Sequence, residues 1–189
     1  ASCGEPARVV RRVAVSGIGV VSPLGNSMAE VMAHARAGRS GVRRLETPFA
    51  SRLVAPIAAT ARFDEGDDVD AGKARMLDRF SQLALFAAKQ AVQGSSGALT
   101  DIDRARGGVF VGTGMGGTHT MDGGYQTLYG ENSDRIKPFT ILMGMHNAAA
   151  AWIGIEYDLR GSNMTYSTAC SSSTVAIGEA WMRVASGQL

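Results

Sequence analysis

"YSTACSSSTVAIGEA", residues 166–180, carries one cysteine where a polar, β-prone run gives way to small hydroxyl residues and then to an apolar helix. A strand that feeds a helix through so short a turn belongs to an α/β chain. Cys170 then has two readings. It is a small buried side chain, the commonest role of a free cysteine, or it is a nucleophile at a helix start. Unpaired N–H groups and the helix dipole favour a thiolate there, lowering the thiol pKa from about 8.5 to roughly 3.5–7.5 in such settings. The small neighbours Ala169, Ser171, Ser172 and Ser173 leave room for a substrate.

Outward from this junction the same alternation repeats. "RRVAVSGIGVVSPLG" predicts a β run over Val13–Val15 and a glycine turn at Gly17 and Gly19. A helix comes next, with Ser27 and Glu30 at capping-box spacing. Its stripe is Met28, Val31, Met32 and Ala35, and Gly38 ends it. Residues 39–71 read as irregular, with the acidic run "DEGDDVD" as a solvated loop. Residues 73–92 read as one amphipathic helix, on Met76, Phe80, Leu83, Ala84, Ala87 and Ala91. "GVFVGTG" is a strand, "FTILMGMHNAAAAWIGIEY" a buried alanine-rich helix, "SNMTYST" a strand and "STVAIGEAWMRVAS" a last helix with Glu179 and Arg183 spaced for pairing. The expected fold class is α/β, a mainly parallel sheet covered by helices on both faces.

The 189 residues suffice for one domain, with residues 1–10 expected to be frayed and 11–189 forming the domain. The 24 glycines, set between apolar runs, suit tight turns. A net charge of +2 does not predict nucleic-acid binding, and the arginines at 11–12 and at 36, 39, 43 and 44 read as solvated surface. Two cysteines make no disulfide framework, so a reducing cytoplasm is expected. Nothing reads as a membrane span or a signal peptide. The sequence stops after a helix, where an α/β protein would start its next strand, which suggests part of a larger protein.

Two further patterns carry chemistry weakly. Gly112, Gly114 and Gly117 form G-x-G-x-x-G after a strand, a turn that can bring N–H groups to a pyrophosphate. The fingerprint also needs a helix at once and an acid further on, whereas Gly123 and Gly124 interrupt the segment after Gly117. Close backbone packing is the simpler reading. His34 reads as solvated, His119 lies in the glycine-rich loop and His146 in the alanine-rich helix, and no pair has metal-ligand spacing with the cysteines.

Five fragments in order, "RRVAVSGIGVVSPLGNS", "MLDRFSQLAL", "GVFVGTGMGG", "PFTILMGMHNAAAA" and "STACSSS", resemble the N-terminal half of β-ketoacyl-acyl carrier protein synthases, nearest to synthase II. The resemblance runs from about Arg11 to the end and implies a thiolase-like fold, of which this is the first half. It implies that Cys170 accepts an acyl group from the phosphopantetheine of acyl carrier protein, with no other cofactor and no metal. Malonyl carrier protein then loses carbon dioxide and its carbanion attacks the thioester. It matches Met115 to a gate at the acyl pocket. It matches Thr140 to a pocket position contributed across a homodimer, whose two-fold pairs the strand before the nucleophile. The family's catalytic histidines and lysine belong to its C-terminal half, on the same or a separate chain, and none of the three histidines here stands in such a motif. A non-catalytic partner subunit is the alternative, and a dinucleotide module a third reading.

Overall fold

The computed structural model describes residues 11–63, 71–97 and 99–189. The expected frayed start, with Cys3, and the acidic run at 64–70 lie outside the described residues.

The centre is a parallel pair of strands. These are β3 (Val109–Gly112) and β4 (Asn163–Tyr166), in register from Val109 opposite Asn163 to Gly112 opposite Tyr166. Side chains alternate along a strand, so the pair has two faces with different coverings. The Asn163 amide donates to the Ala150 carbonyl at 2.8 Å, setting that face on helix α6 (Ala148–Glu156). Gly112 lies on the other face, against the first turn of α7 (Ser172–Ala185). The expected strand–helix alternation with both faces covered therefore holds around this pair.

Helix α3 (Arg79–Gly94) packs against α6, where Ala149 and Ala150 are fully buried and let the two backbones approach. The expected helix over 73–92 is in fact two. A short α2 (Ala71–Ala74) is followed by a break, and α3 starts afresh with Asp78 as its cap. The buried positions of α3 are Ser81, Gln82 and Leu85, while the expected stripe is only partly buried. Helix α6 lies on one side, and on another the segment around Gly17–Gly19 presses against the helix. A methyl on Gly17 would stand 1.9 Å from the Ala91 carbonyl oxygen, and one on Gly19 1.8 Å from that of Ala87. Val20 N–H also donates to Gln90 at 3.0 Å.

That segment corrects a second expectation. Val13–Val15 is not a strand: no described strand lies beside it, and Val15 is largely exposed. The glycines that follow it lie on a helix, which offers no ladder. Helix α1 (Met28–Arg36) forms as expected, with Glu30 N–H donating to Ser27 Oγ at 3.2 Å. The Glu30 carboxylate turns back to Asn26 N–H at 2.9 Å, one residue earlier than in a capping box. Its expected apolar stripe is not buried, since Met28 and Met32 are exposed. His34 is half-buried rather than solvated. Its Nδ1 meets the Leu24 carbonyl and its Nε2 lies 3.3 Å from Arg39, so the ring pins the loop before α1.

Residues 39–63, expected to be irregular, hold a small antiparallel pair, β1 (Arg43–Arg44) with β2 (Ile57–Ala58), and one 3-10 turn at Ala50–Arg52. The expected alanine-rich helix is also divided, into α5 (Thr140–Gly144) and α6. Met145 between them is extended. Helix α4 (Thr118–Tyr125) explains the break, because its cap Gly117 lies against the Gly144 backbone. The ion pairs given for the described residues are Lys73–Glu156 and Asp158–Arg160, and the expected Glu179–Arg183 pair is not among them. No described helix is long and apolar enough to cross a membrane.

Candidate active site

Strand β4 ends at Tyr166, and six residues later α7 begins. Between them Ala169–Ser171 form a 3-10 turn, entered through Ala169 at φ 54°, a left-handed conformation in a residue that has a Cβ. Such a conformation costs roughly 1–3 kcal/mol and persists only where its surroundings impose it. Here the hydroxyls impose it. Thr168 N–H donates to Ser172 Oγ at 2.8 Å, Ser172 O–H donates to the Ala169 carbonyl at 2.6 Å, and Ser171 O–H donates to the Thr168 carbonyl at 2.8 Å. Ser172 is almost wholly buried.

Cys170 sits at the middle of this turn with an exposed, free thiol. The buried-side-chain reading is therefore overturned. The turn's hydrogen bonds run through Thr168, Ala169, Ser171 and Ser172 and leave the Cys170 N–H out. A nucleophile beside an uncommitted backbone donor can attack a carbonyl while that donor faces the developing oxyanion.

The glycine-rich loop closes over the same turn. Thr113 N–H continues the ladder to the Tyr166 carbonyl at 3.0 Å, and a methyl on Gly114 would lie 3.9 Å from Ala169. Met115, next in line, is 76% exposed, so its side chain is not packed away. Thr140 is placed elsewhere. It opens α5, its hydroxyl donates to the Lys137 carbonyl at 2.7 Å, and its methyl faces Gly124 of α4. Within one chain the loop that carries Met115 reaches the Cys170 turn at Gly114, and Thr140 lies on the α4–α5 side.

A helix does come directly after the glycine loop, contrary to the expectation drawn from Gly123 and Gly124. Its N-terminus is nonetheless taken. The Asp78 carboxylate, 2% exposed, accepts from Thr120 N–H at 2.7 Å. A pyrophosphate would find that donor already taken by a buried carboxyl group, so the dinucleotide reading fails. Gly116 and Gly117 serve close packing instead, against the Phe80 ring and the Gly144 backbone. His119 and His146 are exposed, and no group of three metal-ligating side chains occurs among the described residues.

Two residues of the site escape a reading by residue type. Ser172 reads from the sequence only as a small neighbour, and its clamp depends on a turn conformation that residue types do not announce. Asp78 carries a usable signal, an acid just before an apolar helix, but the periodicity of 73–92 runs straight through it.

The family model for the beta-ketoacyl synthase N-terminal domain matches residues 10–189. The chain belongs to the beta-ketoacyl synthase family. Among curated relatives it is similar to 3-oxoacyl-[acyl-carrier-protein] synthase 2 of Coxiella burnetii, 36% identical over 176 residues, covering 93% of this chain and 42% of that protein. Among solved structures it is similar to a β-ketoacyl synthase from Burkholderia phymatum, at 28% identity and a TM-score of 0.75, over 95% of this chain and 44% of that one. A type II polyketide ketosynthase, solved in complex with its acyl-carrier protein, shares the fold at 20% identity and a TM-score of 0.74, over 92% of this chain and 46% of that one. The chain thus spans less than half the length of the ketosynthases it matches. Its fold is the N-terminal half of the thiolase-like fold.

Proposed function

We propose that this chain is the nucleophile-bearing half of a β-ketoacyl-acyl carrier protein synthase of fatty-acid or polyketide synthesis. Cys170 Sγ attacks the thioester carbonyl of an acyl chain carried on phosphopantetheine. The C–S bond to the carrier breaks, the carrier thiol leaves and takes up a proton, and the acyl group stays on Cys170. The Cys170 N–H contributes one donor to the oxyanion. In the whole protein, malonyl carrier protein loses carbon dioxide and its carbanion attacks the acyl-cysteine, freeing the thiol. In the family that second step draws on histidines and a lysine of C-terminal motifs, which none of His34, His119 and His146 matches.

The observation that carries this reading is the exposed Cys170 thiol on its clamped turn. It also weighs against a purely scaffolding subunit, which needs no accessible nucleophile. Acyl carrier protein is the partner, as it is for the polyketide ketosynthase of similar fold. A free thiol of this kind suits the reducing cytoplasm. Met115 gates the acyl chain, and Thr140 acts in the pocket of a second copy. Strand β4 has β3 on one edge only among the described strands, so two-fold pairing through its other edge gives a homodimer. A monodisperse monomer in light scattering at micromolar concentration would count against that dimer.

The test is incubation with acyl-acyl carrier protein, followed by mass spectrometry of the Cys170 peptide. An acyl increment on Cys170, absent in Cys170→Ala, supports the reading, as does the lack of β-ketoacyl product without the rest of the enzyme. No increment on Cys170 overturns it.

A further inference from the structure

At the break before α3, Asp78 does two things. Its Oδ1 accepts from Phe80 N–H at 3.1 Å and so caps its own helix. Its Oδ2 accepts from Thr120 N–H at 2.7 Å, 42 residues away in the first turn of α4. One buried carboxylate therefore joins two helix N-termini, where each dipole favours negative charge. The residues between β3 and that second N-terminus are the loop Thr113–Gly117, which carries Met115.

The loop has few other means of holding its place. A methyl on Gly114 would find only the Ala169 backbone within 4 Å, at van der Waals distance. Gly116 lies against the Phe80 ring, whose Cε2 and Cζ would be 3.0 Å from a methyl placed there. Gly117, at φ 75°, lies against Gly144. Three of the five loop residues are glycines, so the loop has little conformational preference of its own. Its fixed points are the ladder bond at Thr113, the packing of Gly117 on Gly144, and the cluster of Asp78, Phe80 and Thr120 at its far end.

We infer that Asp78 is a positioning residue for acyl-chain selection, because its carboxylate anchors the Met115 loop over the Cys170 turn. The inference rests on Cys170 being the acyl acceptor, and it adds how the gate is held. Asp78 touches neither the thiol nor the acyl chain. It acts through Thr120 N–H and the loop, so its removal changes which chains reach Cys170 more than how reactive the thiol is.

Two variants separate bridge from cap. Asp78→Asn keeps an acceptor for Phe80 N–H and turns a second acceptor into a donor that repels Thr120 N–H. Asp78→Ser keeps a good N-cap but is too short to span to α4. The probes are N-methyl and N-dodecyl iodoacetamide, which alkylate an exposed thiol whether or not it accepts acyl groups. Peptide mass spectrometry gives the rate at Cys170 for each. The expected result is a long-to-short rate ratio that rises by roughly tenfold in both variants, the scale of one lost charge-assisted hydrogen bond. The rate with the short reagent should stay nearly constant. In a Met115→Ala background the same variants should leave the ratio unchanged, because the gate is already gone.

An unchanged ratio in Asp78→Asn and Asp78→Ser overturns the inference. So does an equal rise in the Met115→Ala background, which would mean general loosening, and so does loss of the fold in both variants. Failure of acyl transfer from carrier protein, with the alkylation ratio still shifted, would count against the acyltransferase reading and leave the anchor standing.

Discussion

The Ser172 hydroxyl stands 2.6 Å from the carbonyl of Ala169, the residue that adopts left-handed backbone just before Cys170. The same oxygen accepts from Thr168 N–H, so one buried side chain holds both sides of the strained residue. Ser172→Ala removes a donor and an acceptor at once: the Thr168 N–H loses its partner, and the Ala169 carbonyl keeps only the Ser172 N–H. A loss of about 1–3 kcal/mol is expected, read from the urea midpoint. Cys170 should also alkylate at an altered rate, because Ala169 is free to relax. Unchanged stability and rate would show that the turn keeps its shape without the hydroxyl.

Gly112 is where strand and helix come closest. A methyl there would fall 2.3–2.4 Å from backbone atoms of Ser172 and Ser173, which have no rotamer to change. Gly112→Ala should therefore push the start of α7 off the sheet, at about 1–3 kcal/mol or more. The check is thermal unfolding together with amide exchange over residues 172–176. A stable variant with native exchange there would contradict this packing.

Met115 is unbranched and exposed, so it can swing aside at small cost. A tryptophan at that place is bulky and stiff. In the complete enzyme, Met115→Trp should slow acylation by long donors more than by short ones, measured as paired rates. Equal slowing would remove the gate assignment.

A pH effect belongs to the far end of α6. Asp158 is held below the usual carboxylate range, first by its hydrogen bond from Arg160 and then by the charges of Arg160 and Arg104. A lowered folded-state pKa gives stability that is present above the unfolded value, about 3.9, and lost as pH falls through the folded one. The group is fully exposed, so the effect is small. Asp158→Asn should flatten the acid limb of the urea midpoint plotted against pH. An acid limb identical to wild type would mean that the Arg160 fork adds no pH-dependent stability.

How much of this is readable from residues depends on distance along the chain. Helix α7 and the cap at Ser27 rest on neighbours within a few positions, and local patterning is enough to find them; β3 and β4 are readable as well because each is offered the other's ladder. The division of 73–92 at Asp78 depends on Thr120, and the break at Gly144–Asn147 depends on Gly117. No periodicity in the local segment carries those pairings. Val13–Val15 departs from expectation for a related reason, since β-prone residues form a strand only where a ladder is offered. At the site, position in a motif is enough to find Cys170. The hydroxyl clamp of Ser172 and the anchor of Asp78 need coordinates.

The contact between Gly17–Gly19 and α3 works as a ruler. Gly17 meets the Ala91 carbonyl and Gly19 that of Ala87, so the two chains run in opposite directions. Two residues of an extended chain span about 6.6 Å, and four residues of a helix rise about 6 Å. One repeat nearly equals the other. A slip by one residue would drive Ser16 and Ile18 into the carbonyls, and a slip by two would bring in Val15 or Val21. Only the frame with both glycines on the helix fits. Two absent methyl groups thus fix the alignment of this segment without a sheet, an arrangement in which volume blocks sliding and a side-chain hydrogen bond, from Val20 N–H to Gln90, stands where a ladder would.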